Sequence, residues 1–196
     1  MLRPSAAFGV VSALAVLNAP TAVAQTGSPP PGVYEPKAAV QSPPLRVEVI
    51  DGTHFRDVES NEVYRLYGID TCAAGQTARL NRQPWPCGTM ATAWLVTATL
   101  NAWLACRTLR DEASELLARC SSAGHPDIAA DMVREGIGVA RPPTSEDPGV
   151  RAYAVAEQDA RKAYRGLWSS TFQMPWDWRA TTDRSRAAAT QGGATP

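Results

Sequence analysis

Residues 46–71 constrain the fold more than any other stretch, because three short strand patterns follow one another there with only turns between them. Arg46-Val47-Glu48-Val49-Ile50 alternates polar and apolar side chains as a half-buried strand does, and Asp51-Gly52 ends it as a turn. A second strand is expected over 55–58, a turn over 59–62, and a third strand over 63–69 leading into a loop that carries Asp70. Together they make a meander of the kind that opens a small β-barrel.

Further along, Met90, Ala91, Trp94, Leu95, Ala98 and Ala102 recur at helical spacing within 88–102, one apolar stripe in which Trp94 reads as core. Residues 103–109 and 115–120 follow as the two strands of a hairpin about 110–114. A second helix is expected over 127–135, ended by Gly136 in the left-handed conformation. A third is expected over 151–165, with Tyr153, Ala156, Ala160 and Ala163 on one face and Gly166 after its end. Leu167-Trp168 and Met174-Pro175-Trp176-Asp177-Trp178 supply apolar anchors. Nothing basic is interleaved among these tryptophans, so they read as a packed cover rather than a base-stacking platform.

The two ends of the chain differ from this middle. Residues 1–24 carry one early cation, Arg3, then an apolar run from Ala6 to Leu17, then Ala22-Val23-Ala24 before Gln25. That is the pattern of a cleavable secretory signal, the run being too short to span a bilayer. The proline-rich segment 25–44 reads as an extended linker, 45–180 as one folded domain, and 181–196, rich in Ala, Thr and Gly, as a disordered tail. The expectation is an exported protein, periplasmic or secreted, with no membrane span.

Export sets how Cys72, Cys87, Cys106 and Cys120 are read. There is no Cys-x-x-Cys pair and the chain has only 2 histidines, which argues against structural zinc and leaves two disulfides as the default. Three pairings are formally possible. With Ala113 as the hairpin centre, Cys106 and Cys120 stand opposite each other, which leaves Cys72 to join Cys87. The second bridge would tie the loop after Asp70 to the start of the first helix.

Charge excludes one class of partner. Over 45–180, fifteen Arg plus Lys oppose seventeen Asp plus Glu, a balance of minus two. Weak or no bulk attraction for nucleic acid follows. Arg79, Arg82, Arg161, Lys162 and Arg165 are candidates for a local basic face, with solvated surface charge the better reading of each.

Two segments, Val49-Ile50-Asp51-Gly52-Thr53-His54-Phe55 and Tyr64-Arg65-Leu66-Tyr67-Gly68-Ile69-Asp70-Thr71, resemble the active-site strands of the staphylococcal nuclease (thermonuclease) family. The family's patterns read Val-Ile-Asp-Gly-Asp-Thr and Arg-Leu-x-x-Ile/Val-Asp-Thr/Ala-Pro-Glu, and the order of elements from about Val47 to Trp168 is similar as well. The resemblance implies an α+β domain, a five-stranded OB-type β-barrel with three helices. It also implies a site in which two carboxylates and a backbone carbonyl hold one Ca²⁺, a Glu assists the attacking water and two arginines clamp the phosphate.

Carried over residue by residue, Asp70 matches a metal carboxylate, the Thr71 carbonyl a further ligand, and Arg65, five residues before Asp70, a phosphate arginine. Thr53 stands at the other carboxylate, and Ala73 at the water-assisting Glu. Glu115 stands where the family's Asp-Arg/Lys-Tyr-Gly-Arg turn, aligned on Asp111-Glu112-Ala113-Ser114-Glu115, brings the second arginine. A ligand, a base and a clamp are thus missing. The resulting expectation is an exported nuclease-like domain, catalytically impaired, acting as a binding or structural module, with no cofactor and an unknown partner. The alternative is an active Ca²⁺-dependent nuclease, a phosphodiester hydrolase of DNA or RNA, in which Asp51, Asp70 and Glu115 form a rearranged oxygen cage.

Overall fold

The computed structural model describes residues 40–112, 114–142 and 148–192, so the signal expected at 1–24 and most of the 25–44 linker lie outside the described residues. The strands are β1 (Val40–Gln41), β2 (Val47–Val49), β3 (His54–Asp57), β4 (Val63–Leu66), β5 (Ile69–Thr71), β6 (Ala78–Leu80), β7 (Gln83–Trp85), β8 (Ala105–Glu112), β9 (Glu115–Ser121) and β10 (Gly138–Ala140). The helices are α1 (Cys87–Thr99), α2 (Ile128–Arg134), α3 (Pro148–Lys162) and α4 (Pro175–Gly192).

The class is α+β, as expected, but the sheet is not closed as a barrel. Six strands lie in the order β1-β8-β9-β4-β3-β2, with β4 and β9 parallel and the other neighbours antiparallel. β5 pairs separately with β10, and β6 with β7. The reason lies at Gly68, whose φ of +77° breaks the strand expected over 63–69 into β4 and β5. The turn there lets the chain leave the main sheet, and β5 finds its partner in the strand after α2. The domain also begins earlier than 45, because Val40 and Gln41 already pair with Thr108 and Arg107.

A single apolar core fills the space between the sheet and α1, α2 and α3, with Phe55, Leu66, Ile69, Leu95, Leu104, Met132 and Tyr153 all fully buried. Trp94 is only half buried at its edge, where its Nε1–H donates to Glu135 Oε2 at 2.7 Å. Asp127 caps α2 by accepting from Ala130 N at 3.0 Å, and Gly136, at φ +71°, ends it in the expected left-handed conformation. Val150, Tyr153, Ala156 and Ala160 form the buried face of α3, whereas Ala163, placed on that face from the sequence, lies past the helix end and is exposed.

Both expected disulfides are present, Cys72–Cys87 and Cys106–Cys120, and no cysteine is free. The register explains the second pair. Near the turn Glu112 faces Glu115 and Arg110 faces Leu117, a frame offset by one residue from a hairpin centred on Ala113. A β-bulge between Thr108 and Arg110 absorbs the extra residue, and beyond it Cys106 faces Cys120 directly. Around Cys72–Cys87 gather Trp85, Trp168, Phe172, Met174 and Trp176, which makes the tryptophans the cover they read as.

Residues 181–192 run on as α4, where the composition had pointed to a disordered tail. Pro175 suits the first helical position, and the alanines that follow are the strongest helix formers. Three of the basic residues named above are engaged locally: Arg161 of α3 pairs with Glu157 and lies 3.9 Å from the centre of the Trp168 ring, Lys162 stands 3.9 Å from Asp159, and Arg165, past the end of α3, donates to the Arg134 carbonyl. Arg79 and Arg82 are exposed on the β6–β7 hairpin.

Each disulfide closes a loop of 15 or 14 residues, which on the chain-entropy model contributes about 3 kcal/mol. Replacing both Cys72 and Cys87 by serine should lower the free energy of unfolding by about that amount in urea titrations, and non-reducing peptide mapping should return these two pairs alone.

Candidate functional site

The adjacent strands β3, β4 and β9, the separately paired β5 and the start of α4 build the site. Asp51 lies in the turn after β2, and its Oδ1 accepts the backbone N–H groups of Thr53 and His54 at 2.8 and 2.9 Å, which fixes the turn from inside. Gly52 is needed there, since a Cβ at that position would stand 2.4 Å from Thr71 Oγ1 and 2.7 Å from the Ala91 side chain. The turn is thereby pressed against β5 and α1.

The β3–β4 register sets His54 directly opposite Arg65, two bases facing each other across the sheet. Such a pair is unfavourable without an anion beside it. β9, parallel to β4, supplies one at its first residue: Glu115 Oε1 accepts from Arg65 Nη1 at 3.2 Å, and Oε2 lies 3.0 Å from His54 Nε2. The other imidazole nitrogen, Nδ1, lies 2.8 and 2.9 Å from the two Asp51 oxygens. Each imidazole nitrogen thus has a carboxylate oxygen within 3.0 Å.

Asp70 occupies the middle of β5 and is 2% exposed. Its Oδ1 accepts the Thr71 N–H at 2.9 Å, and its Oδ2 accepts from Arg179 Nη2, which arrives from α4. Thr53 and Thr71 are each 4% exposed, and the Thr53 hydroxyl donates to Asp51 Oδ1 at 3.2 Å. Ala73 follows Cys72 in a loop held by the disulfide and by Gln76, itself 1% exposed. The Gln76 Oε1 accepts from Ala73 N at 3.1 Å, and its Nε2 donates to the Gln173 carbonyl at 2.7 Å.

Asp51, Thr53, His54, Arg65, Asp70, Thr71, Ala73 and Arg179 line a cleft of about 220 Å³. Its acids, Asp51 and Asp70, pair with His54 and Arg179, and Glu115, beside the cleft, pairs with its Arg65. Burial pushes the Asp51 pKa up, but the hydrogen bonds from the His54 ring and from the Thr53 and His54 backbone, with the His54 charge, outweigh it and lower the pKa from 3.8 to about 2.

The residues present do not suit the Ca²⁺ that the resemblance implies. A hard cation needs several free oxygens, yet Asp70 is held by Arg179, Asp51 by His54, and Glu115 by both Arg65 and His54. Among the described residues no three His, Cys, Asp or Glu side chains are grouped so as to hold a metal ion. Ala73 carries no acid or base.

The strands and helices that carry these residues form an α+β domain of the nuclease type. The family model of staphylococcal nuclease homologues matches residues 63–170, and the chain belongs to that family. Comparison with curated proteins gives no match. The matched span contains Arg65, Asp70, Thr71, Ala73 and Glu115; the turn carrying Thr53 and His54 precedes it, and α4 follows it.

Sequence reasoning picked out Asp51, Arg65, Asp70 and Glu115; the structure brings the first three to one cleft, with Glu115 beside it on Arg65 and His54. It missed His54, Arg179 and Gln76. His54 carried a signal, one of only 2 histidines in the chain and a member of the motif segment itself. Arg179, 109 residues from Asp70 in the chain, carried none.

Two outcomes follow from this network. A depressed pKa means that the stabilisation from Asp51 is fully present above 3.8 and is lost as the pH falls toward 2, so Asp51→Asn should flatten the acid limb of the stability curve in that window. Glu115→Ala should cost about 2 kcal/mol in denaturant titrations, and the further change Arg65→Ala should add less than it costs alone, because the two share one interaction.

Proposed function

We propose that this chain is an exported member of the staphylococcal nuclease homologue family that is catalytically impaired and acts as a binding or structural module. The observation that carries the reading is the ion pair between Arg65 and Glu115. The arginine that would hold a phosphate is held by a carboxylate, and that carboxylate stands where a second cation would stabilise the pentavalent transition state. Ala73 removes the group that would assist water, and Thr53 replaces a metal carboxylate with a hydroxyl already bonded to Asp51.

Export is supported by the signal pattern at 1–24 together with the two disulfides, which persist in oxidising compartments. No helix among the described residues is long and apolar enough to cross a membrane. For a binding role, the fitting surface is the neighbouring cleft of about 490 Å³, which shares Arg65 with the site and adds Arg110, Arg141 and Tyr67, the Arg110 guanidinium lying 5.7 Å from the Tyr67 ring centre.

Removing one well-placed electrostatic donor commonly costs roughly 100- to 1,000-fold in rate, and here ligand, base and donor are all exchanged. Mature protein incubated with single-stranded DNA or RNA should show no chelator-sensitive cleavage, and Thr53→Asp, Ala73→Glu and Glu115→Arg should be required together before any appears. Cleavage by the unmodified protein at a rate the triple variant does not exceed would overturn the reading and favour the active Ca²⁺-dependent alternative.

A further inference from the structure

We infer that α4, a helix beyond the family-matched span, latches onto the site, and that its Arg179 guanidinium is the resident cation of the Asp70 carboxylate, in the place a divalent ion would otherwise take. The inference deepens the impaired-site reading and rests on it for the role of Asp70.

Asp70 demands a partner. A carboxylate 2% exposed is strongly unfavourable unless its oxygens are bonded and its charge is matched. The Thr71 N–H satisfies one oxygen but brings no charge. Arg179 is the cation bonded to the other, and its side chain remains 38% exposed, so it reaches down from the surface rather than lying in the interior. Arg65 is committed to Glu115, and His54 to Asp51 and Glu115.

The helix that carries Arg179 is docked by its first turns alone. Trp176 and Met174 pack on the cluster around Cys72–Cys87, and the Gln173 carbonyl accepts from Gln76. From Asp183 to Thr190 every residue is exposed. Gln76, Cys72 and Asp70 all belong to β5 or the loop after it, so the latch holds the same loop that carries Ala73. The C-terminal extension and the loop of the site are one mechanical unit.

Each carboxylate at the site is then already bonded to a basic side chain, and a cation entering at Asp70 must displace Arg179. The test is thermal unfolding of the full chain with millimolar Ca²⁺ or with chelator, alongside limited proteolysis of residues 171–192. The unmodified protein should show no Ca²⁺-dependent shift. Arg179→Ala should melt lower, release α4 to protease, and gain a Ca²⁺-dependent rise in Tm of about 3 °C or more that is absent from Arg179→Ala/Asp70→Asn. Arg179→Gln, which keeps a donor and removes the charge, gives the same readout should the alanine variant fail to fold.

A loosened α4 without any gain of Ca²⁺ response would overturn the assignment of Arg179 to the cation's place, leaving a plain structural ion pair. A Ca²⁺ shift in the unmodified protein would overturn it as well. Nuclease activity is read separately, so cleavage by the unmodified protein would strike the impaired-site reading and leave this result standing on its own.

Discussion

A carboxylate inside a protein must be neutralised, and much of this structure is arranged around that requirement at Asp70. β5 is too short to bring a base of its own, and its partner strand β10 contributes Val139 opposite Asp70. The charge comes instead from Arg179, 109 residues away, and the pairing explains why a helix continues past the end of the family-matched span. Without it the chain after Thr171 would have only the tryptophan cluster and the Gln76 contact to hold it.

The same logic governs the other half of the cleft. Strand register alone sets His54 and Arg65 face to face, two side chains rich in N–H donors that need an acceptor between them. Glu115 supplies the acceptor: it lies on β9, beside β4, two residues before Leu117, the register partner of Arg65, and its carboxylate reaches both side chains. A cation at position 115 would offer them no acceptor. With His54 and Arg65 where they are, a carboxylate at 115 gives both side chains a partner.

Much of this was legible from the sequence wherever the determining contacts were local or periodic. The strand–turn–strand pattern over 46–58, the capped α2 with Gly136 behind it, and the apolar face of α3 at Tyr153, Ala156 and Ala160 follow from spacing alone. The Cys106–Cys120 pair came from a symmetric hairpin that does not exist as drawn: the turn is offset, and the bulge between Thr108 and Arg110 restores the frame before the cysteines. The strand expected over 63–69 missed the break at Gly68, a tight turn invisible to a hydrophobic pattern that runs straight across it. The tail at 181–192 was misread because an alanine-rich stretch has little apolar bulk to reveal a packed face, yet high helix propensity needs only an anchored first turn to propagate. Arg179 was beyond reach, as a contact set by tertiary folding leaves no mark on its neighbours in the chain.

Active sites ordinarily hold unbalanced charge that costs stability and is retained because the chemistry needs it. Here each acid in the cleft has a base within bonding distance, and the loop that would carry a catalytic Glu is fastened by a disulfide, by Gln76 and by the start of α4. A loop fixed at three points and carboxylates already bonded to side chains of the site are what the impaired-site reading rests on. What the arrangement provides is rigidity at the junction of β5, α1 and α4, together with an open, arginine-lined cleft on the far side of Arg65 that the neutralised site leaves free to bind.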